Sequence, residues 1–128
     1  MTKRTVDADQ YPRRAADAIR TFNHATRPRR DVRSAIAHPG TAYHVIGELT
    51  TLAQRLPQAL DQTAEAVGAM NATGHLTADH GVPALHVVDT LTALRDAIQH
   101  ANALTDALER AHGSMSPLGW SGPLPDTE

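Results

Sequence analysis

Residues 42–70 read AYHVIGELTTLAQRLPQALDQTAEAVGAM, and this stretch decides the fold of the chain. Its apolar and small side chains recur at alternating spacings of four and three residues, which places them on one face of an α-helix. Two such rows share four members: Val45, Leu49, Leu52, Leu56, Ala59, Thr63, Ala66 and Met70 form one, and Ile46, Leu49, Ala53, Leu56, Leu60, Thr63, Val67 and Met70 the other. A face this broad predicts a helix with neighbours on two sides, as in a helical bundle.

Pro57 stands in the middle of this predicted helix. Proline has no backbone N–H, and its ring collides with the carbonyl group four residues earlier, here that of Ala53, at a cost of roughly 3 kcal/mol in a helix interior. We therefore expect a kink or a break at residues 54–56.

A second long helix is predicted over residues 83–112, with Pro83 in its first turn and Gly113 as its C-cap. Its row of apolar and small residues is Val87, Leu91, Leu94, Ile98, Ala101, Thr105 and Leu108. Because a connector of about ten residues joins the two long helices, we expect them to fold back on each other antiparallel.

Two short helices are predicted before the long ones. The first covers residues 12–26, where Ala15, Ala16, Ile19, Phe22 and Ala25 share a face, and the second covers residues 32–37, with Asp31 as N-cap. The predicted fold class is therefore all-α: a long antiparallel helical hairpin with two short N-terminal helices, making a three- to four-helix bundle. Residues 11–112 form the single domain, between a flexible arm at residues 1–10 and a flexible tail rich in glycine and proline at residues 113–128, which contains Trp120.

The composition excludes several classes of protein. The 128 residues are 41% hydrophobic but only 3% aromatic, so the core must consist of aliphatic and small side chains. There is no cysteine, which excludes disulfides and thiolate chemistry. No uncharged apolar run approaches the roughly 18 residues that span a bilayer, so we expect a cytoplasmic protein with no membrane partner.

Charge is distributed unevenly along the chain. Residues 1–33 hold nine basic and four acidic side chains, a net of +5, whereas residues 34–128 hold three basic and ten acidic ones, a net of −7. The candidate contacts for nucleic acid or for an acidic partner are Arg13, Arg14, Arg20, Arg27, Arg29, Arg30 and Arg33. The favoured interpretation is that these arginines pair with acidic residues of the same chain or of another copy, namely Asp61, Glu65, Asp89 and Asp96. Binding to DNA is the alternative, although the second short helix is too short for a helix-turn-helix reader.

Catalytic and metal-binding motifs are absent from the sequence. His75, Asp79, His80 and His86 suit zinc or nickel by residue type, but no HExxH or Glu-x-x-His pairing accompanies them, and we interpret them as solvated loop residues. Phosphate-binding loops and nucleophile elbows are also missing. The sequence thus predicts a protein that is not an enzyme and has no metal or cofactor.

The breadth of the two long apolar rows predicts a homodimer or another protein partner. Two short helices leave apolar surface of the long pair exposed, and a second copy would cover it as a four-helix bundle. The alternative is that the N-terminal helices supply the whole cover. The predicted function is therefore that of a non-catalytic interaction or accessory protein.

The strings AYHVIGEL (residues 42–49) and LAQRLPQALDQ (residues 52–62) resemble a recurring pattern in small helical proteins of actinobacteria. Some of those proteins look like cargo of integrative elements and plasmids. The resemblance covers about a third of the chain when the second long helix is included. It implies an accessory, regulatory or scaffold role and carries no catalytic residue over to this sequence.

Overall fold

The computed structural model describes residues 7–28 and 35–123. Within these ranges the chain forms three α-helices and no strand: α1 (Gln10–Ala25), α2 (Pro39–Ala72) and α3 (Pro83–Met115). The predicted all-α class is thereby confirmed. Residues 1–6 of the predicted arm and residues 124–128 of the predicted tail lie outside the described residues.

Both long helices extend beyond their predicted ends. Helix α2 begins at Pro39, three residues before the predicted start, with His38 in an extended conformation as N-cap. A proline is well placed there, because the first N–H groups of a helix have no partner within it. Helix α3 continues through Gly113 to Met115, so the prediction of Gly113 as C-cap was wrong.

The second short helix is not seen in the described residues. Residues 35–37 are not helical, although they were predicted to end that helix, and its earlier part lies outside the described ranges. Helix α1 begins at Gln10, two residues before the predicted start at Pro12.

Of the kink or break expected at residues 54–56, the break does not occur, because helix α2 continues through Pro57. Pro57 is half-buried in the line of contact with α3, one turn after Ala53, which is 0% exposed. Packing on both sides of the proline outweighs the loss of one backbone hydrogen bond. The 34 residues of α2 form a rod on the order of 50 Å long.

Helices α2 and α3 pack against each other in opposite directions. The ring of Tyr43, near the start of α2, stacks on that of His112, near the end of α3, with centroids 4.0 Å apart and planes 18° from parallel. Further along, Gln54 Nε2 donates a hydrogen bond of 3.2 Å to Glu109 Oε1. Both contacts join the first half of α2 to the last turns of α3, as expected for antiparallel helices.

The row of α2 that faces α3 differs from both predicted rows. Its buried and half-buried members are Ile46, Thr50, Ala53, Pro57, Leu60, Ala64 and Val67. The leucine-rich row that begins at Val45 lies to one side of this line, and Leu52 and Leu56 within it are exposed. In α3 the predicted row that runs from Val87 to Leu108 is the one that is buried or half-buried.

The core between the two helices is small. Only Thr50, Ala53, Val87 and Ala101 are buried among the described residues. Thr50 is polar, but its hydroxyl group donates a 2.7 Å hydrogen bond to the Ile46 carbonyl oxygen and so is satisfied. Two helices in contact bury only one stripe of each, and the rest of their apolar surface stays accessible.

Candidate interaction surface

The repeat of the α2–α3 contact divides the surface of the pair into two edges. The packed rows alternate spacings of four and three, as in a coiled coil, so each helix can be lettered as a heptad with Thr50 and Leu91 at position a and Ala53 and Leu94 at position d. Because the helices run antiparallel, their e positions meet on one edge and their g positions on the other. Gln54 and Glu109, which are hydrogen-bonded, are both e residues.

Most exposed side chains at the e and b positions are polar; the large apolar exceptions, Leu85 and Val88, lie in the first two turns of α3. The exposed polar and charged members of this edge, which we call the polar edge, are Gln54, Gln58, Asp61, Glu65, Arg95, Gln99, Asn102, Asp106 and Glu109. This composition is typical of a solvated helix surface.

The edge with the g and c positions is apolar. We call it the apolar edge; it consists of Val45, Leu49, Leu52, Leu56, Ala59, Thr63, Ala66 and Met70 from α2, and Thr90, Ala93, Ala97, His100, Leu104, Ala107 and Ala111 from α3. Leu56 and Leu104, both at g positions, have 37% and 47% of their surfaces exposed. No Asp, Glu, Lys or Arg belongs to this edge.

Sequence reasoning identified only half of this edge. Its α2 row was recognised as apolar but was expected to be part of the core. Its α3 row was missed, because alanines give a weak hydrophobic signal. The sign that could have shown it is the run Ala93, Ala97, His100, Leu104, Ala107 and Ala111, which has the same four-and-three spacing as the packed row.

Helix α1 faces one end of the apolar edge across a cleft. None of its Cα atoms comes within 8 Å of a Cα atom of α2 or α3, and none of its residues is buried. The cleft holds about 480 Å³ and is lined by Ala18, Ile19 and Phe22 of α1 and by Thr41, His44, Val45, Glu48, Leu49 and Leu52 of α2. Val45, Leu49 and Leu52 belong to both the cleft and the apolar edge, so the two surfaces are continuous.

The described arginines do not pair with the acidic residues of α2 and α3. Arg13 forms an ion pair with Asp9 on its own helix, and no other ion pair is present in the described part of the chain. Arg14, Arg20 and Arg27 are exposed. The favoured pairing with Asp61, Glu65, Asp89 and Asp96 of the same chain is therefore not seen for these residues, while Arg29, Arg30 and Arg33 lie outside the described ranges.

His75 and His80 in the loop between α2 and α3, and His86 in the first turn of α3, form local contacts. His86 Nε2 lies 2.8 Å from the His80 carbonyl oxygen and donates a hydrogen bond to it, and the two rings meet edge to face with centroids 5.1 Å apart. His75 is tied locally, since its backbone N–H donates to Thr73 Oγ1. Across residues 7–28 and 35–123, no three His, Asp or Glu side chains are grouped so that they could hold a metal ion.

Two further findings bear on the class of protein. None of the described helices combines the length and the apolar character needed to cross a membrane. No family model matches the chain, and neither the curated proteins nor the solved structures include one that is significantly similar to it. The resemblance to small actinobacterial helical proteins stays a prediction.

Proposed function

We propose that this protein is a non-catalytic helical interaction protein that acts by self-association, with α2 and α3 forming a long hairpin that pairs with a second copy into a four-helix bundle. The observation that carries the proposal is the imbalance between buried and exposed apolar side chains. Four residues are buried in the described part of the chain, whereas large apolar side chains, among them Leu52, Leu56, Met70 and Leu104, are exposed.

The position of the exposed apolar side chains supports the same proposal. A standard protein interface removes about 800 Å² from each partner, and both long helices expose large apolar side chains, among them Leu52, Leu56 and Leu104. Pairing of two hairpins also gives each long helix neighbours on two sides, which is the usual arrangement of stable helical bundles.

Thermal unfolding followed by circular dichroism at two protein concentrations tests self-association. Because dissociation accompanies unfolding of a dimer, its melting temperature rises with protein concentration by mass action. We expect such a rise between dilute and concentrated samples. A melting temperature that is the same at both concentrations would show that a monomer unfolds, and the proposal would fail.

A second candidate function, an accessory or regulatory role on DNA, is favoured by the unpaired arginines of the N-terminal region. Arg14, Arg20 and Arg27 are exposed and have no acidic partner among the described residues. Guanidinium groups in this state are free to contact phosphates. Such contacts release counterions, so the affinity would fall steeply with salt.

A mobility-shift titration of the full-length protein tests this second function. The variant changes Arg14, Arg20 and Arg27 to Gln, and the matched control changes Arg55, Arg95 and Arg110 to Gln, so each removes three positive charges. If the N-terminal region binds DNA, only the first variant loses the shift, and the salt dependence of its residual binding is shallower. Equal binding by both variants, or no shift of the wild type at low salt, would exclude the DNA role.

A further inference from the structure

We infer that the second copy docks on the apolar edge, with the leucine-rich α2 row of each copy packed on the alanine-rich α3 row of the other. This inference rests on the proposed self-association and adds which surface mediates it and in what orientation. The twofold axis then runs parallel to the long helices, and both α2–α3 loops lie at the same end of the dimer. Each α2 then lies between the α3 of its own copy and the α3 of the other copy.

The first argument is the position of charge on the α2–α3 pair. Every charged side chain of α2 and α3 is at an e, b or f position: Glu48, Arg55, Asp61, Glu65, Asp89, Arg95, Asp96, Asp106, Glu109 and Arg110. These seven acids and three bases give each pair a net charge of −4, so two copies repel each other through most of their surface. Docking through the g and c positions places all ten charges away from the contact.

The second argument is the complementary size of the two rows on the apolar edge. The α2 row carries Leu49, Leu52 and Leu56, whereas four of the seven members of the α3 row are alanine. Small side chains allow a neighbouring helix to approach closely, and large side chains fill the space between helices, so large against small packs best. A twofold dimer repeats this match on both sides of its axis, since its interface is self-complementary.

The third argument is the position of α1. Val45, Leu49 and Leu52, at c and g positions of the apolar edge, face α1 across the cleft, so α1 lies over the N-terminal end of the α2 row and leaves the rest of the edge uncovered. Leu56 and Leu104 stay open, and the cleft extends the docking surface through Leu52. Side chains of the second copy can therefore enter between α1 and α2.

A pair of charge variants on α3 tests the surface. Leu104→Glu adds one negative charge at the centre of the apolar edge, and Asn102→Glu adds one on the polar edge two residues away. In the dimer each copy would bury an unpaired carboxylate at position 104, so we expect the dimer dissociation constant to rise roughly 100-fold or more. Asn102→Glu should change it by less than about threefold.

Disulfide trapping tests the orientation and does not depend on how the charge variants fold. The natural chain has no cysteine, so Thr63→Cys and Ala97→Cys, both at g positions at the same height, give proteins with one thiol each. Mixed and mildly oxidised, they should form a disulfide-linked heterodimer, whereas each alone should not. The control mixture, Gln62→Cys with Asp96→Cys, has its thiols on the outer f positions and should remain unlinked.

The outcomes separate this inference from the proposed function. A wild type that is monomeric at all concentrations overturns both. A wild-type dimer that tolerates Leu104→Glu, or that is split by Asn102→Glu, overturns only the choice of edge. Disulfide dimers from Thr63→Cys alone, without the mixed product, would overturn the orientation and place α2 against α2.

Discussion

Ala53 and Ala101 set the distance between α2 and α3. Ala53 is 0% exposed and Ala101 is 7% exposed, and each lies at a d position of the packed rows. Their size, more than their hydrophobicity, suits them to this place, because a methyl group lets the two backbones approach. The residues that matter most for the pairing are thus among the smallest in the contact.

Enlarging one of these alanines should separate the helices. We expect Ala101→Leu to destabilise the fold by about 1–3 kcal/mol, because three added carbons have no space between the helices. Ala103→Leu, at an exposed position on the same helix, should change stability by less than about 0.5 kcal/mol. Urea denaturation of both variants gives these differences, and equal stabilities would contradict the assignment of the packed row.

The two glycines with positive φ offer a second comparison at this scale. Gly74 has φ +76° and open space around it, whereas Gly81 has φ +71°, and a Cβ atom there would lie 3.1 Å from His86 Nε2. Gly74→Ala should cost about 1–2 kcal/mol from backbone strain alone. Gly81→Ala should cost more, because it must also displace the ring that holds the His80 carbonyl. A smaller loss of stability for Gly81→Ala than for Gly74→Ala would show that His86 contributes nothing to the loop.

Helix α2 carries its proline without a break because the proline lies in the contact with α3. The free energy of packing is shared along the whole of the helix, whereas the cost of the missing hydrogen bond is confined to one turn. The same reasoning explains why the sequence alone suggested a break. Helix propensity reflects only the local free-energy cost of the proline at residues 54–56, and it does not include the stabilisation that comes from packing against α3.

Pro57→Ala should therefore stabilise the fold without changing its assembly. Restoring the hydrogen bond to the Ala53 carbonyl regains up to about 3 kcal/mol. Loss of ring packing and a more flexible unfolded chain offset part of this. We expect a net gain of about 1 kcal/mol, seen as a rise of a few degrees in melting temperature, with the molecular mass unchanged. A lower melting temperature, or a changed mass, would mean that the proline shapes the helix for a partner.

At the scale of the whole molecule, the sequence predicts the class and the long helices better than their faces. The three observed helices were all predicted, and their ends lie at most three residues from the predicted ones. In α2 two apolar rows overlap, and hydrophobicity favours the leucines over Thr50, Pro57 and Ala64. Which row meets α3 depends on the shape of α3, and that is not encoded in the sequence of α2 itself.

The candidate surface was predictable only in part for the same reason. From sequence alone, the leucine row of α2 is assigned to the core, and its exposure becomes visible only when the packed row is known. The alanine row of α3 can be recognised as part of the same surface only when its position next to the leucine row is known. The arginines of residues 13–33 were recognised from charge alone, and only the structure shows that Arg14, Arg20 and Arg27 lack acidic partners among the described residues. Identifying the apolar edge therefore requires both the heptad positions of the residues and the exposure of their side chains.

The molar mass of the wild-type protein in solution, measured by light scattering after size exclusion, tests the central claim most directly. Self-association predicts about 27 kDa at micromolar concentration, twice the 13.7 kDa of the chain, with a decrease toward the monomer on dilution. A mass of 13.7 kDa across the whole concentration range, with a stable and cooperatively unfolding helix pair, would contradict it.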